Sequence, residues 1–258
     1  MAAAALALLL ALLGSAAPAG AQDAGARALV DRVIAAAGGM QGWAELKDVT
    51  FKLTSVSLTP EGEATGARVS LYRLKRHGKI RIETVTGGGV LVQAFDGQRP
   101  WVTLGGKPDT SPEALTRAHF QSVNWWYWIG IPFKLKDPGV IVRHAGAAAL
   151  QGKRVEVLEV TFEPKIGATS DRYTYYIDPE THHIVFVELQ LQPGVWPGVG
   201  GPAPSRSAWL EYKNEGPFTI HTKRVFYDSA DLTTKRGIAW FEEFRFNTGL
   251  PDSLFRGP

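Results

Sequence analysis

The sequence predicts a mainly β protein, α+β in detail. It has a long antiparallel meander with one helix before it and one helical insertion in its middle. Three observations carry this. From Asp48 onward, apolar and polar residues alternate with a period of two, the mark of strands with one dry and one wet face. Short clusters of Gly, Pro and Asp punctuate the alternating runs. Two stretches, near 23–37 and 111–128, show helical spacing with start and stop signals.

Residues 1–21 read as a cleavable secretory signal. Leu6 to Leu13 are continuously apolar, too few for the roughly 20 residues that span a bilayer. Ala19-Gly20-Ala21 is a small-x-small cleavage pattern, so cleavage is expected before Gln22. Residues 22–258 are expected to form a single domain, a size that all-β barrels reach as one unit. The chain has no cysteine. It therefore has neither a disulfide framework nor a thiol for acylation, and stability must come from a core. With no second long apolar segment, no transmembrane anchor is expected and the exported protein is soluble. The 28 basic and 25 acidic residues give a net charge of +3. They are interleaved along the chain, which excludes the clustered basic stripe of a nucleic-acid binder.

Asp23 to Ala37 predicts an amphipathic helix. Leu29, Val33 and Ala37 recur at four-residue steps, Asp23 caps the start and Gly38-Gly39 ends it. A short turn from Gly42 to Lys47 carries Trp43 and Leu46. Val49, Phe51 and Leu53 then alternate with Thr50, Lys52 and Thr54, and similar runs follow around Val69–Leu71 and Ile80–Ile82. Ser111-Pro112-Glu113 starts the inserted helix with a capping hydroxyl, a proline at the first helical position and an acid near the positive end of the dipole. It is expected to end near Trp128, before Gly130 and Pro132. Further strands are predicted near 140–149, 153–163, 171–178, 183–192, 206–214, 217–228 and 237–247. Pro193 to Pro204, with four prolines and four glycines, reads as a long surface loop.

No catalytic constellation stands out. The chain has no G-x-S-x-G, no P-loop and no H-E-x-x-H. Of the six histidines, His182 and His183 are adjacent; strand alternation would send them to opposite faces, away from a shared metal. The same argument separates Glu242 from Glu243. The aromatic content is more informative: 8 Trp, 7 Tyr and 12 Phe make up 10% of the chain. Phe120, Trp125, Trp126 and Trp128 crowd the inserted helix, while Phe51, Trp101, Phe133, Phe186, Trp209 and Trp240 are spread over the rest of the sequence. Either they fill a core, each buried ring contributing on the order of 2–3 kcal/mol, or they line an apolar cavity between helix and sheet. Burial arithmetic is the same for both.

Three stretches carry a family resemblance. They are Ala37-Gly38-Gly39-Met40-Gln41-Gly42-Trp43-Ala44-Glu45-Leu46, then Trp128-Ile129-Gly130-Ile131-Pro132-Phe133-Lys134-Leu135-Lys136-Asp137-Pro138-Gly139-Val140, and the hairpin Tyr173-Thr174-Tyr175-Tyr176-Ile177-Asp178-Pro179-Glu180-Thr181. With the order of helices and strands, they make the chain similar to the LolA/LolB-like lipoprotein carriers over essentially all of 22–258. The resemblance implies a curved, half-open antiparallel barrel of about 11 strands wrapped over the N-terminal helix and the mid-chain insertion. It implies a non-catalytic periplasmic carrier, without metal or cofactor, for a lipid, a lipoprotein acyl chain or another hydrophobic ligand. The ten aromatic residues just named are the candidates for its cavity or lid, with 111–133 and 193–204 as the movable parts. The expected partners are the hydrophobic ligand or lipoprotein and envelope membrane proteins, no nucleic acid is expected, and the protein is expected to be a monomer. The alternative is a protein-interaction or envelope-stress sensor module on the same fold, with the barrel filled by side chains.

Overall fold

The computed structural model describes residues 23–164, 166, 171–191, 204–228 and 232–258. The predicted signal segment and nearly all of the predicted 193–204 loop lie outside the described residues.

Helix α1 (Ala24–Ala36) forms where its stripe predicts. The Asp23 carboxylate accepts from Gly25 N at 2.9 Å, and Ala26, Leu29, Val30, Val33 and Ile34 are buried along one side. Gly38, at φ 109°, lies so close to the Pro217 carbonyl that a Cβ there would collide with it, which fixes the turn after the helix as glycine. A second short helix, α2 (Met40–Glu45), begins two residues earlier than the expected turn, because Gly39 at φ 83° reverses the chain there.

The strands then run as a meander: β1 (Asp48–Leu58), β2 (Ala64–Lys75), β3 (Lys79–Thr86), β4 (Gly89–Phe95), β5 (Pro100–Leu104) and β6 (Lys107–Pro108). Helix α3 (Pro112–Gly130) follows, with the Ser111 hydroxyl accepting from Ala114 N. The meander resumes with β7 (Val140–Leu150), β8 (Lys153–Phe162), β9 (Arg172–Ile177), β10 (Ile184–Gln190), β11 (Ser205–Glu215), β12 (Phe218–Tyr227) and β13 (Lys235–Phe246). Among the described residues these thirteen strands form one antiparallel sheet in the order β6-β5-β4-β3-β2-β1-β13-β12-β11-β10-β9-β8-β7. Two more strands form than the eleven or so expected, and β6 shows why: two residues are too few to display alternation.

The topology places α3. Strands β6 and β7 are the two edges of the sheet, and the chain between them is α3. The helix therefore crosses the inner face from one edge to the other, where edge-to-edge pairing would otherwise have closed a barrel. The result is the half-open barrel, plugged by α1 and α3. The core lies between them and the sheet, centred on Phe51, Leu74, Ile80, Leu158, Tyr175 and Ile177. Among the described residues no helix is long and apolar enough to cross a membrane.

The first and last strands meet at the middle of the sheet, and a buried carboxylate locks them. Asp48 Oδ1 accepts from Thr248 N at 2.8 Å and from Thr248 Oγ1 at 2.9 Å. Its Oδ2 accepts from Gly249 N at 3.0 Å and Leu250 N at 3.2 Å. The tail then crosses β2 and β3. Lys75 Nζ donates to Leu250 O and pairs with Asp252, and Phe255 is fully buried. Asp48→Ala orphans three backbone donors and is expected to lower the unfolding free energy by about 2–4 kcal/mol. Asp48→Asn should recover part of the loss. A urea titration that finds a loss below about 0.5 kcal/mol would remove the clamp as a determinant of stability.

Candidate functional site

Helix α3 does not fill the space it covers. Beneath it lies a cavity of about 660 Å³, within the roughly 300–1,000 Å³ of pockets that take small-molecule ligands. Phe120, Asn124 and Trp128, spaced one turn apart, present one face of α3 to it, with Trp125 alongside. The opposite wall is Leu53 of β1, Val187 and Leu189 of β10, Phe226 of β12, and Ala239 and Phe241 of β13. Exposed Asp228 and Arg236, paired at 3.8 Å, mark its outer end.

The rings of α3 are held from within the helix. Trp125 Nε1 donates to Gln121 Oε1 at 2.9 Å, and Trp128 Nε1 to Asn124 Oδ1 at 2.7 Å. Each indole meets its donor requirement one turn back, so its apolar body is free to serve as wall.

A second, smaller cavity of about 50 Å³ lies between this wall and α1 and α2. Trp128, Phe241 and Arg224 line both cavities and form the partition between them. Arg224, on β12, is 5% exposed. Its Nε donates to His221 Nε2 at 2.8 Å. Its guanidinium carbon lies 4.4 Å from the centre of the Trp209 ring, 4.7 Å from Trp128 and 5.0 Å from Phe241, within cation–π reach of all three. Burial draws the Arg224 pKa down to about 9, partly opposed by the Tyr212 and Tyr175 hydroxyls, so the group stays cationic at neutral pH. Burial, then the charge on Arg224, holds the His221 pKa well below its ordinary 6.5, so its Nε2 remains an acceptor.

The ten predicted aromatic residues divide. Phe120, Trp125 and Trp128 line the large cavity; Trp128, Phe133 and Trp209 line the small one. The other five line neither. Phe51, 0% exposed, stacks on Tyr72 at 4.8 Å and fills the core. Trp126 turns away from the cavity, donates to Lys79 O and meets Trp43 edge-on. Trp101 donates to Phe255 O at 2.7 Å and fastens the C-terminal tail. Phe186 packs with Val225 and Tyr227 in a separate small cluster. Trp240 is half-buried on β13 between Thr54 and Lys223.

Two alternation arguments fail locally. His182 and His183 both line the small cavity, because β10 starts only at Ile184 and His182 has a φ of 58°. Glu242 and Glu243 both reach Lys52 Nζ, at 3.4 and 3.2 Å. Glu243 has a φ of 58°, opposite a register shift between Thr50 and Lys52, so a bulge brings the two carboxylates to one side. Among the described residues no group of three or more His, Cys, Asp or Glu side chains could hold a metal ion.

Sequence reasoning missed Arg224. The available signal was the adjacent pair Lys223-Arg224 within a predicted strand, since alternation sends one of two neighbours inward. Lys223 pairs with Glu211 at 2.8 Å, and Arg224 is the one turned in.

Comparison with known proteins now fixes the fold. A signature described as "Family of unknown function (DUF6503)" matches residues 106–192, from the β6 edge through α3 to the end of β10. No curated protein matches the sequence. A LolA superfamily protein from Nitrosomonas europaea superposes with a TM-score of 0.57 at 10% identity, over 90% of this chain and 97% of that one. A DUF1329 family protein from Desulfovibrio piger gives 0.55 at 13% identity, over 90% and 97%. A putative outer membrane lipoprotein-sorting protein domain from Vibrio parahaemolyticus gives 0.50 at 14% identity, over 88% and 94%. The fold is LolA-like.

The neutral His221 gives a pH signature. Its folded pKa lies below the unfolded 6.5, so the folded state binds fewer protons below that pH. The stability it contributes is present above pH 6.5 and is lost as the pH falls. Thermal or urea unfolding at pH 7 and pH 5 should show the native protein losing up to about 1.4 kcal/mol per pH unit from this residue. His221→Gln, which keeps an acceptor for Arg224, should lose less. Equal losses would exclude His221 as the source.

Proposed function

We propose that this chain is an exported, non-catalytic binding or carrier protein of the periplasm. It holds an apolar ligand, a lipid or the acyl chain of a lipoprotein, between α3 and the sheet. The observation that carries the reading is the cavity of about 660 Å³ left after the helix has docked. A module working only through its outer surface has no use for such a volume, since an empty apolar interior forfeits packing contacts. Twelve of the nineteen described lining residues are apolar or aromatic, as an acyl chain requires, and Ser55, Asn124, Ser205, Ser207, Arg224, Asp228 and Arg236 supply polar groups that can orient a ligand. The fold agrees with this reading, and so does the secretory signal expected over residues 1–21. The Vibrio neighbour is described as a putative lipoprotein-sorting domain.

The test is native mass spectrometry and organic extraction of the purified protein, with titration of two fluorescent lipid probes, one neutral and one carrying a free carboxylate. At least one probe is expected to bind. Ala239→Trp places a large ring in the cavity wall and should weaken that binding by about tenfold or more while circular dichroism stays unchanged. No extracted ligand and no binding of either probe would overturn the carrier reading.

A further inference from the structure

Arg224 is the one Lys or Arg in the buried class among the described residues, and it has no carboxylate partner there. The contrast with other arginines is informative. Arg73 and Arg81, half-buried, both pair with Glu83, and Arg206 pairs with Glu188 at 2.8 Å. Arg76, which has no ion pair among the described residues, donates instead to the backbone carbonyls of Leu46, Trp43 and Ala44. Arg224, the most deeply buried, has neither a carboxylate nor a carbonyl partner among the described residues. Its Nε is used on His221. Three aromatic rings lie 4.4–5.0 Å from the guanidinium carbon, but a ring is a poorer acceptor than an oxygen for the N–H donors. Nη1 and Nη2 make no hydrogen bond to a described residue. His182 Nδ1 is the only enclosed side-chain nitrogen or oxygen without a partner among the described residues, so Nη1 and Nη2 open onto the cavity space that Arg224 lines. A buried cation of this kind is costly unless an anion meets it, and a guanidinium is shaped to take two oxygens of one anion. The group sits at the partition that closes the inner end of the large cavity.

We propose that Arg224 receives the single anionic head group, carboxylate or phosphate monoester, of an amphiphile whose apolar tail occupies the cavity. The inference rests on the carrier reading and narrows its ligand. The head lies deep, between Trp128, Trp209 and Phe241. The tail runs outward past Val187, Leu189 and Phe226 toward Asp228 and Arg236. A neutral lipid of the same length would fill the same walls but leave the guanidinium unpaired.

The experiment is a competition series on the full chain with ligands of one chain length: a fatty acid, an alkyl phosphate, a fatty alcohol and an alkyl trimethylammonium. The two anions are expected to bind about ten- to hundredfold more tightly than the alcohol, and the cation most weakly. The tighter of the two anions identifies the head group. Arg224→Met, close in volume and apolar, should erase the difference between fatty acid and alcohol while alcohol binding persists. Because the native protein alone supplies the comparison of anion with alcohol, the test survives a variant that fails to fold. Equal binding of fatty acid and alcohol to the native protein would overturn the anionic head and leave the carrier reading standing. Binding of no member of the series would overturn both.

Discussion

An antiparallel sheet that leaves its first and last members unpaired has to hide one apolar face and end at two bare edges. In this protein one connection answers both demands. The chain leaves the sheet at β6 and re-enters it at β7, the opposite edge, and the link between them is α3. The helix must lie across the opening, and its inner side must be apolar. A sheet wide enough to need such a crossing encloses more volume than one helix fills. The cavity is therefore a consequence of the topology, and the ring-bearing face of α3 forms one of its walls.

The same constraint governs where charge can go. Residues pointing outward from the strands meet water and find partners, as the pairs of Arg206 with Glu188 and Lys223 with Glu211 show. A charge pointing inward has only rings, hydroxyls and the cavity. Arg224 remains charged there because Trp209, Trp128 and Phe241 lie within cation–π reach and a neutral imidazole takes its Nε. Protonating His221 would put a second cation beside the first, so the low proton affinity of the imidazole and the charge of the guanidinium are two sides of one arrangement.

Much of this was legible in the sequence, for physical reasons that also mark the limits. Alternation gave most strands, and the caps at Asp23 and Ser111 gave both long helices, because these signals are local. The Glu242–Glu243 pair and the two histidines escaped because a single positive φ reverses the face on which the next residue falls, and alternation carries no trace of it. The cavity escaped because an enclosed volume depends on how thirteen strands curve together. Aromatic content pointed to the right helix but could not separate Phe120 and Trp128, at the cavity wall, from Trp126, which lies on another side of the same helix.

That division of the rings bears on how such a protein can be changed. Phe51 and Tyr72 hold the core, Trp101 holds the tail, and Trp125 belongs both to the core and to the wall. Substitution at the first three sites acts through stability, because these residues line neither cavity. Leu53, Ala239 and Phe226 face the cavity from strands fixed on both sides by neighbouring strands. A change of side-chain volume there alters the shape of the interior while the backbone is held by its ladders. A sheet with its wall residues on central strands and its clamp at Asp48 keeps the frame separate from the lining. The lining can then change without loss of the fold, which is consistent with this chain's 10–14% identity to solved structures on which it superposes over most of its length.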